Sequence, residues 1–174
     1  MSNEVIDTNV LTIASAPMAG WVRPRIPLAE LALIRKVFEW VKAFRDDDKR
    51  HLVMDRGQTI LEEYKSRGNM PEFRHYGRQV VQHKFSTGAT YWVDLEYWNN
   101  GNERVARLPE AVEELVHDLG DRKMIAAAAE AEASICNACD SDWSNPNEQR
   151  ALGMMGVEVV QILTDDERVH CRER

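Results

Sequence analysis

The chain has 174 residues, 44% of them hydrophobic, which suits a globular domain with a sizeable core and excludes a disordered chain. Its formal net charge is −7, from 22 Lys and Arg against 29 Asp and Glu, so any contact with nucleic acid has to come from a local patch. Three cysteines cannot all pair within one chain, and no apolar run approaches the roughly 20 residues of a membrane span; with no basic region and apolar core at the start, a cytoplasmic protein without membrane contact is expected.

Val5 to Leu11 is a short apolar run broken by Asp7, Thr8 and Asn9, and it reads as a first buried strand. Ligands bind at the carboxyl ends of strands in open α/β sheets, so Asp7 is placed for chemistry. The plainer role for such an Asp is to cap a following turn or helix. Ser15 to Pro27 holds three prolines and a glycine and reads as a loop carrying Trp21, Arg23 and Arg25. Leu28, Leu31, Ile34, Phe38, Val41 and Phe44 recur at helical spacing and predict a long amphipathic helix. A charged turn, Asp46 to Arg50, leads into a short strand, His51 to Met54. Asp55 and Gln58 have capping-box spacing, which predicts a helix to about Ser66.

Residues 68 to 107 read as irregular. They hold a basic, aromatic stretch of Arg74, His75, Tyr76, Arg78, His83, Lys84 and Phe85, with no acid between Phe73 and Thr90. Tyr91, Trp92, Tyr97 and Trp98 follow. A helix is then expected over Pro109 to Leu119, ended by Gly120, and an alanine-rich one over Lys123 to Ala133. Ile135 sits in a short strand leading to Asp140-Ser141-Asp142-Trp143. Asn145 to Met155 reads as a helix with Gly156 as its C-cap, Val157 to Leu163 as a last strand, and the polar residues from Thr164 as a mobile tail. No internal repeat or second domain boundary is visible, so residues 1–174 are expected to form one domain.

Taken together, the acids follow this topology. Asp7 ends the first strand, Glu62 and Glu63 lie on the helix after the second, Asp121 opens the alanine-rich helix, and Asp140 and Asp142 follow the next strand. Parallel topology gathers strand ends and the starts of following helices on one edge. Several carboxylates in a small volume repel unless protonated or sharing a cation. An all-oxygen set suits Mg²⁺ or Mn²⁺ better than zinc.

Asp7-Thr8-Asn9, Leu61-Glu62-Glu63-Tyr64, Asp121-Arg122-Lys123-Met124-Ile125-Ala126 and Asp140-Ser141-Asp142-Trp143 resemble, in order, the motifs of PIN-domain ribonucleases. The resemblance implies a three-layer α/β/α sandwich with a mostly parallel sheet, and acids that bind Mg²⁺ or Mn²⁺ for phosphodiester hydrolysis. It makes Asp7, Glu63, Asp121 and Asp140 the catalytic set and metal ligands, with Asp142 as an auxiliary ligand. Glu62 and Glu63 stand about 100° apart on a helix, so only one faces a cleft easily. Glu63 is chosen because it lies nearer the apolar edge and directly before the aromatic. Thr8 and Asn9 are read as polar support for Asp7, and Asp118 as a solvent-exposed acid, the alternative being a supporting place behind the ligands.

The resemblance further implies an RNA substrate and, for many members, the toxin role in a toxin–antitoxin pair, hence an antitoxin partner; a homodimer is also expected. Residues 68 to 107 match nothing in the pattern. Arg74, Arg78 and Lys84 are the expected phosphate contacts, with Arg23 and Arg25 behind them. Tyr76 and Trp92 are candidates to stack on unpaired bases. Trp92 and Trp98 are otherwise anchors of a protein interface. The alternative function is a catalytically silent PIN-like module that binds RNA or protein. Cys136 and Cys139 with His170 and Cys171 make a poor zinc set, since a structural zinc shows a second close ligand pair. A haloacid-dehalogenase-type phosphatase would want an acid where Asn9 stands, and a response-regulator receiver would want an acceptor Asp ending its third strand and a late lysine.

Overall fold

The computed structural model describes residues 1–16, 28–67, 76–101 and 103–169. Their strands and helices alternate. In chain order they are β1 (Ser2–Ile6), α1 (Thr8–Ser15), α2 (Leu28–Asp46), β2 (Arg50–Asp55), α3 (Thr59–Arg67), α4 (Tyr76–Thr87) and β3 (Thr90–Val93). After these come β4 (Tyr97–Asn100), β5 (Glu103–Ala106), α5 (Glu110–Glu113), α6 (Leu119–Glu130), β6 (Ser134–Asn137), α7 (Pro146–Met155), β7 (Val159–Gln161) and α8 (Asp165–Val169). Among the described residues, five strands form one sheet in the order β3-β2-β1-β6-β7, and every pairing in it is parallel. Helices flank it, making a three-layer α/β/α fold: α1, α2 and α4 pack together, and α6 packs on α3 and α7.

The sheet is apolar on both sides, as a sheet covered on both faces must be. Val5 and Ile6 of β1, Leu52, Val53 and Met54 of β2, and Ile135 and Cys136 of β6 are all buried. Val37, Val41 and Phe44 form the inward stripe of α2. On α6 the run Met124 to Ala128 is buried, its alanines letting the helix lie close to the sheet. No helix of the described residues is long and apolar enough to cross a membrane.

The register sets the functional edge. Ile6 pairs with Cys136, Asp55 with Val93 and Asn137 with Gln161, so the strands end along one border of the sheet. Asp7, Asp55 and Asn137 all lie on that border.

Several boundaries differ from expectation. The first strand stops at Ile6, because Asp7 caps α1 by accepting from the Asn9 amide; Val10 and Leu11 are helical and buried. Residues 76–101 and 103–107 are ordered, and they supply α4, an edge strand of the main sheet and a separate antiparallel hairpin, β4–β5. Gly120 does not end a helix: it lies in the first turn of α6, and the helix before it is the single turn α5. The residues after Thr164 begin with α8. Asn145 and Gly156 cap α7 as expected, Gly156 at φ +67°, where a side chain would be strained.

Candidate active site

Each acid is brought to the edge by a local rule. Asp7 follows β1 and serves as the N-cap of α1, its Oδ1 accepting from Asn9 N at 2.9 Å. Its Oδ2 accepts from the indole Nε1 of Trp143 at 2.5 Å, and that indole is wholly buried. Burial, first of all, pushes the Asp7 carboxyl up to about 6; the Trp143 and Asn9 hydrogen bonds pull the other way, and the charges of Asp140 and Glu63 add to the rise.

Glu63 is delivered by α3, which starts because Asp55 accepts from the Thr59 and Ile60 amides at 2.8 and 2.9 Å. Tyr64, the next residue, is buried and donates its hydroxyl to the carbonyl of Ile6 at 2.5 Å, tying α3 to the end of β1. Glu63 Oε1 accepts from Thr8 Oγ1 at 2.7 Å, and Oε2 lies 2.5 Å from Lys123 Nζ.

Asp118 caps α6 by accepting from the Gly120 amide at 2.7 Å. A Cβ on Gly120 would sit 3.0 Å from Asp118 Oδ1, so the missing side chain leaves room for the cap's own carboxylate. Asp121, in the first turn, has its carboxyl pushed up to about 8, chiefly by burial, then by the charges of Asp118, Asp7, Asp140 and Asp142. Its Oδ2 is buried without a hydrogen-bond partner. Asp118, Asp121 and Asp142 each offer an oxygen within 4.8 Å of the others.

The loop after β6 presents Asp140 and Asp142. Buried Asn137 accepts from Asp140 N at 3.1 Å and donates to Asp140 O at 2.8 Å. Asp140 Oδ1 in turn accepts from Asp142 N at 2.9 Å. The exposed Asp142 carboxyl is shifted upward by burial, then by Asp140 and Asp118. A 3₁₀ turn, Asp142–Ser144, then swings Trp143 inward onto Asp7.

Set against family models, curated proteins and solved structures, the chain matches none.

Asp7, Asp121, Asp140 and Asp142 therefore share one edge, with Glu63 beside them. Asp118, expected to face solvent, is exposed and shares the 4.8 Å group with Asp121 and Asp142, whereas the expected ligands Asp7, Glu63 and Asp140 lie outside that group. The support residues differ in their targets. Thr8 holds Glu63 rather than Asp7. Asn9 gives Asp7 its backbone amide only; its side-chain oxygen accepts from Ala138 N and Cys139 N, and its Nδ2 donates to Asn137 Oδ1.

Two expected RNA contacts are corrected by burial. Lys84 is fully buried, donating to the carbonyls of Asp47 and Arg50 at 2.8 Å each, with Nζ 4.4 Å from the Phe44 ring centroid. Tyr76 is buried against Phe38, with ring centroids 4.7 Å apart. Neither side chain is open to solvent for an RNA contact. Arg78 is exposed on α4, while Arg74, Arg23 and Arg25 lie outside the described residues. Trp92 is 40% exposed and stacks on Phe85. Cys136 faces Glu4 inside the sheet, its thiol pushed up by burial; His170 and Cys171 lie outside the described residues.

Sequence reasoning missed Lys123 and Trp143, whose roles depend on partners distant in the chain, Glu63 for Lys123 and Asp7 for Trp143, and Asn137, which holds Asp140 locally and also meets the distant Asn9. Near the same edge it also missed Arg104, which donates to Gly57 O at 2.5 Å, stands 3.6 Å from Glu62 and stacks on the Tyr97 ring.

Proposed function

We propose that this chain is a metal-dependent endoribonuclease of the PIN type, working in the cytoplasm. One observation carries the reading. Acids from separate segments converge on one sheet edge, and among them the Asp121 carboxyl is raised to about 8 and keeps a buried, unbonded oxygen. A carboxylate so placed is poorly served by protein and water, and an all-oxygen group of Asp118, Asp121 and Asp142 suits a hard divalent cation. Asp7 and Asp140 adjoin this group and add charge to it.

When bound, Mg²⁺ or Mn²⁺ supplies charge neutralisation at phosphorus and activation of water. The chain's own groups do the positioning. Trp143 and the Asn9 amide fix both oxygens of Asp7, and Asn137 fixes the loop that presents Asp140. Lys123 brings a positive charge next to Glu63. No covalent nucleophile is needed, since preorganised charge carries this class of reaction. Arg104, 42% exposed, and Arg56, 63% exposed, lie on the hairpin beside α3 and past the end of β2, where they offer cations to a phosphate backbone.

The test is cleavage of a labelled single-stranded RNA with Mn²⁺ or Mg²⁺ against excess chelator. Cleavage is expected only with metal, and Asp7→Asn is expected to abolish it while keeping the fold. Cleavage in chelator, or wild-type activity in Asp7→Asn, overturns the reading. The Lys123–Glu63 pair favours a second reading, a silent RNA-binding module, since it answers one acid without metal. Binding of the RNA with no cut under any divalent ion would select that one.

A further inference from the structure

Glu63 differs from the other acids of the edge in being already answered by a cation. Lys123 Nζ stands 2.5 Å from Oε2, with side chains only 16% and 18% exposed, and Thr8 Oγ1 donates to Oε1 at 2.7 Å. Both oxygens carry a donor. A partly buried pair of this kind is weakly screened by solvent and salt. Among the described residues no Lys or Arg pairs with Asp118, Asp121 or Asp142, whose oxygens lie within 4.8 Å of one another. The acidic edge is thus split: one half holds a resident cation, the other has none.

We propose that Lys123 takes the place of a second metal ion, so that the chain binds one divalent ion, on the Asp121 side. The proposal rests on the metal-nuclease reading above and deepens it. Paired ions in phosphoryl-transfer sites stand about 3.5–4 Å apart. An ion on Glu63 would meet the ammonium at contact distance, and it could enter only by displacing Lys123 and the Thr8 hydroxyl. Lys123 follows Asp121 by two residues in the first turns of α6, so one rigid helix holds both the divalent site and the ammonium. The ammonium supplies fixed positive charge and hydrogen-bond donors, and leaves coordination to the single ion.

Titration of the metal-free full chain with Mn²⁺, followed by the electron paramagnetic resonance of free Mn²⁺, counts the ions. One per chain is expected in the wild type and in Lys123→Arg. Lys123→Met frees Glu63 and is expected to bind two, the second being absent again in Lys123→Met/Glu63→Gln. Two ions in the wild type, or one in Lys123→Met, overturn the proposal and leave the metal reading standing. No ion in the wild type removes that reading and the proposal with it. If Lys123→Met fails to fold, Glu63→Gln carries the test: it is expected to keep one ion at wild-type affinity, and loss of that ion would put Glu63 among the ligands and overturn the proposal.

Discussion

Asp121 keeps its proton in the folded chain up to about pH 8, against a value of 3.8 for an ordinary Asp. Between those values the folded state binds more protons than the unfolded one, so stability falls as pH rises. The contribution is fully present below about pH 4 and is lost as pH passes through 8; Asp7, pushed up to about 6, adds an earlier step of the same sign. In chelator the melting temperature is therefore expected to fall between about pH 4 and about pH 8, the window that spans both groups. Asp121→Asn, with no proton to lose, should flatten the upper part of that fall and raise the metal-free melting point at its alkaline end. Saturating Mn²⁺ should restore the wild type there by mass action. Scanning calorimetry reads all three, and a wild type that gains stability with rising pH contradicts the assignment. Lys84 is the other residue whose environment decides its role. Lys84→Met removes the donor to two backbone carbonyls and should cost about 1–3 kcal/mol in urea denaturation, with RNA affinity unchanged. Its burial was legible in principle, because Tyr76, Val80 and Lys84 follow one another at four-residue spacing on the inward face of α4. Reading the stretch by its charge, rather than by its period, hid that face.

Asn145 begins α7 and Gly156 ends it as expected, through a short local hydrogen bond and a left-handed residue that the sequence displays directly. The Asp55–Gln58 capping box does not form: Asp55 ends β2, Gln58 sits at φ +63° outside the helix, and α3 starts later, at Thr59, where Asp55 accepts from the Thr59 and Ile60 amides. β1 was harder, since an apolar run through Leu11 suits strand and helix alike, and only the Asp7 cap divides it. The hairpin β4–β5 was not legible, because its anchor is tertiary. Tyr97 donates to Asp55 Oδ2 at 2.5 Å and passes so close to Gly57 that a Cβ there would sit 2.8 Å from its ring. Gly57→Ala should therefore push Tyr97 off Asp55, at a cost of about 1–3 kcal/mol. Amide exchange should speed up in β4 and β5 while β1 and β6 stay protected. Equal protection of the hairpin in wild type and variant would show that Tyr97 is not its anchor.

At the scale of the whole chain, the acid cluster was legible because parallel topology gathers strand ends whatever the strand order. The cations were not, because Lys123 and Arg104 reach their acids across elements distant in sequence. That gap changes where RNA is expected to lie. The run of positive charge along the sequence points to α4, but Lys84 and Tyr76 of that helix are buried, leaving Arg78 as its exposed candidate. Arg56 and Arg104 are exposed past the end of β2 and on the hairpin beside α3, the helix that carries Glu63. A phosphate backbone drawn to an edge rich in acids, in a chain of net charge −7, needs cations beside those acids rather than on a remote face. Fluorescence anisotropy of a short labelled single-stranded RNA, with Ca²⁺ in place of the active ion, separates the two faces. Arg56→Ala/Arg104→Ala should weaken binding and lower the salt slope by about 0.7 for each phosphate no longer neutralised. Arg78→Ala should leave both affinity and slope at the wild-type value. The reverse pattern would move the RNA to α4 and make Arg56 and Arg104 mere partners of Asp94 and Glu62.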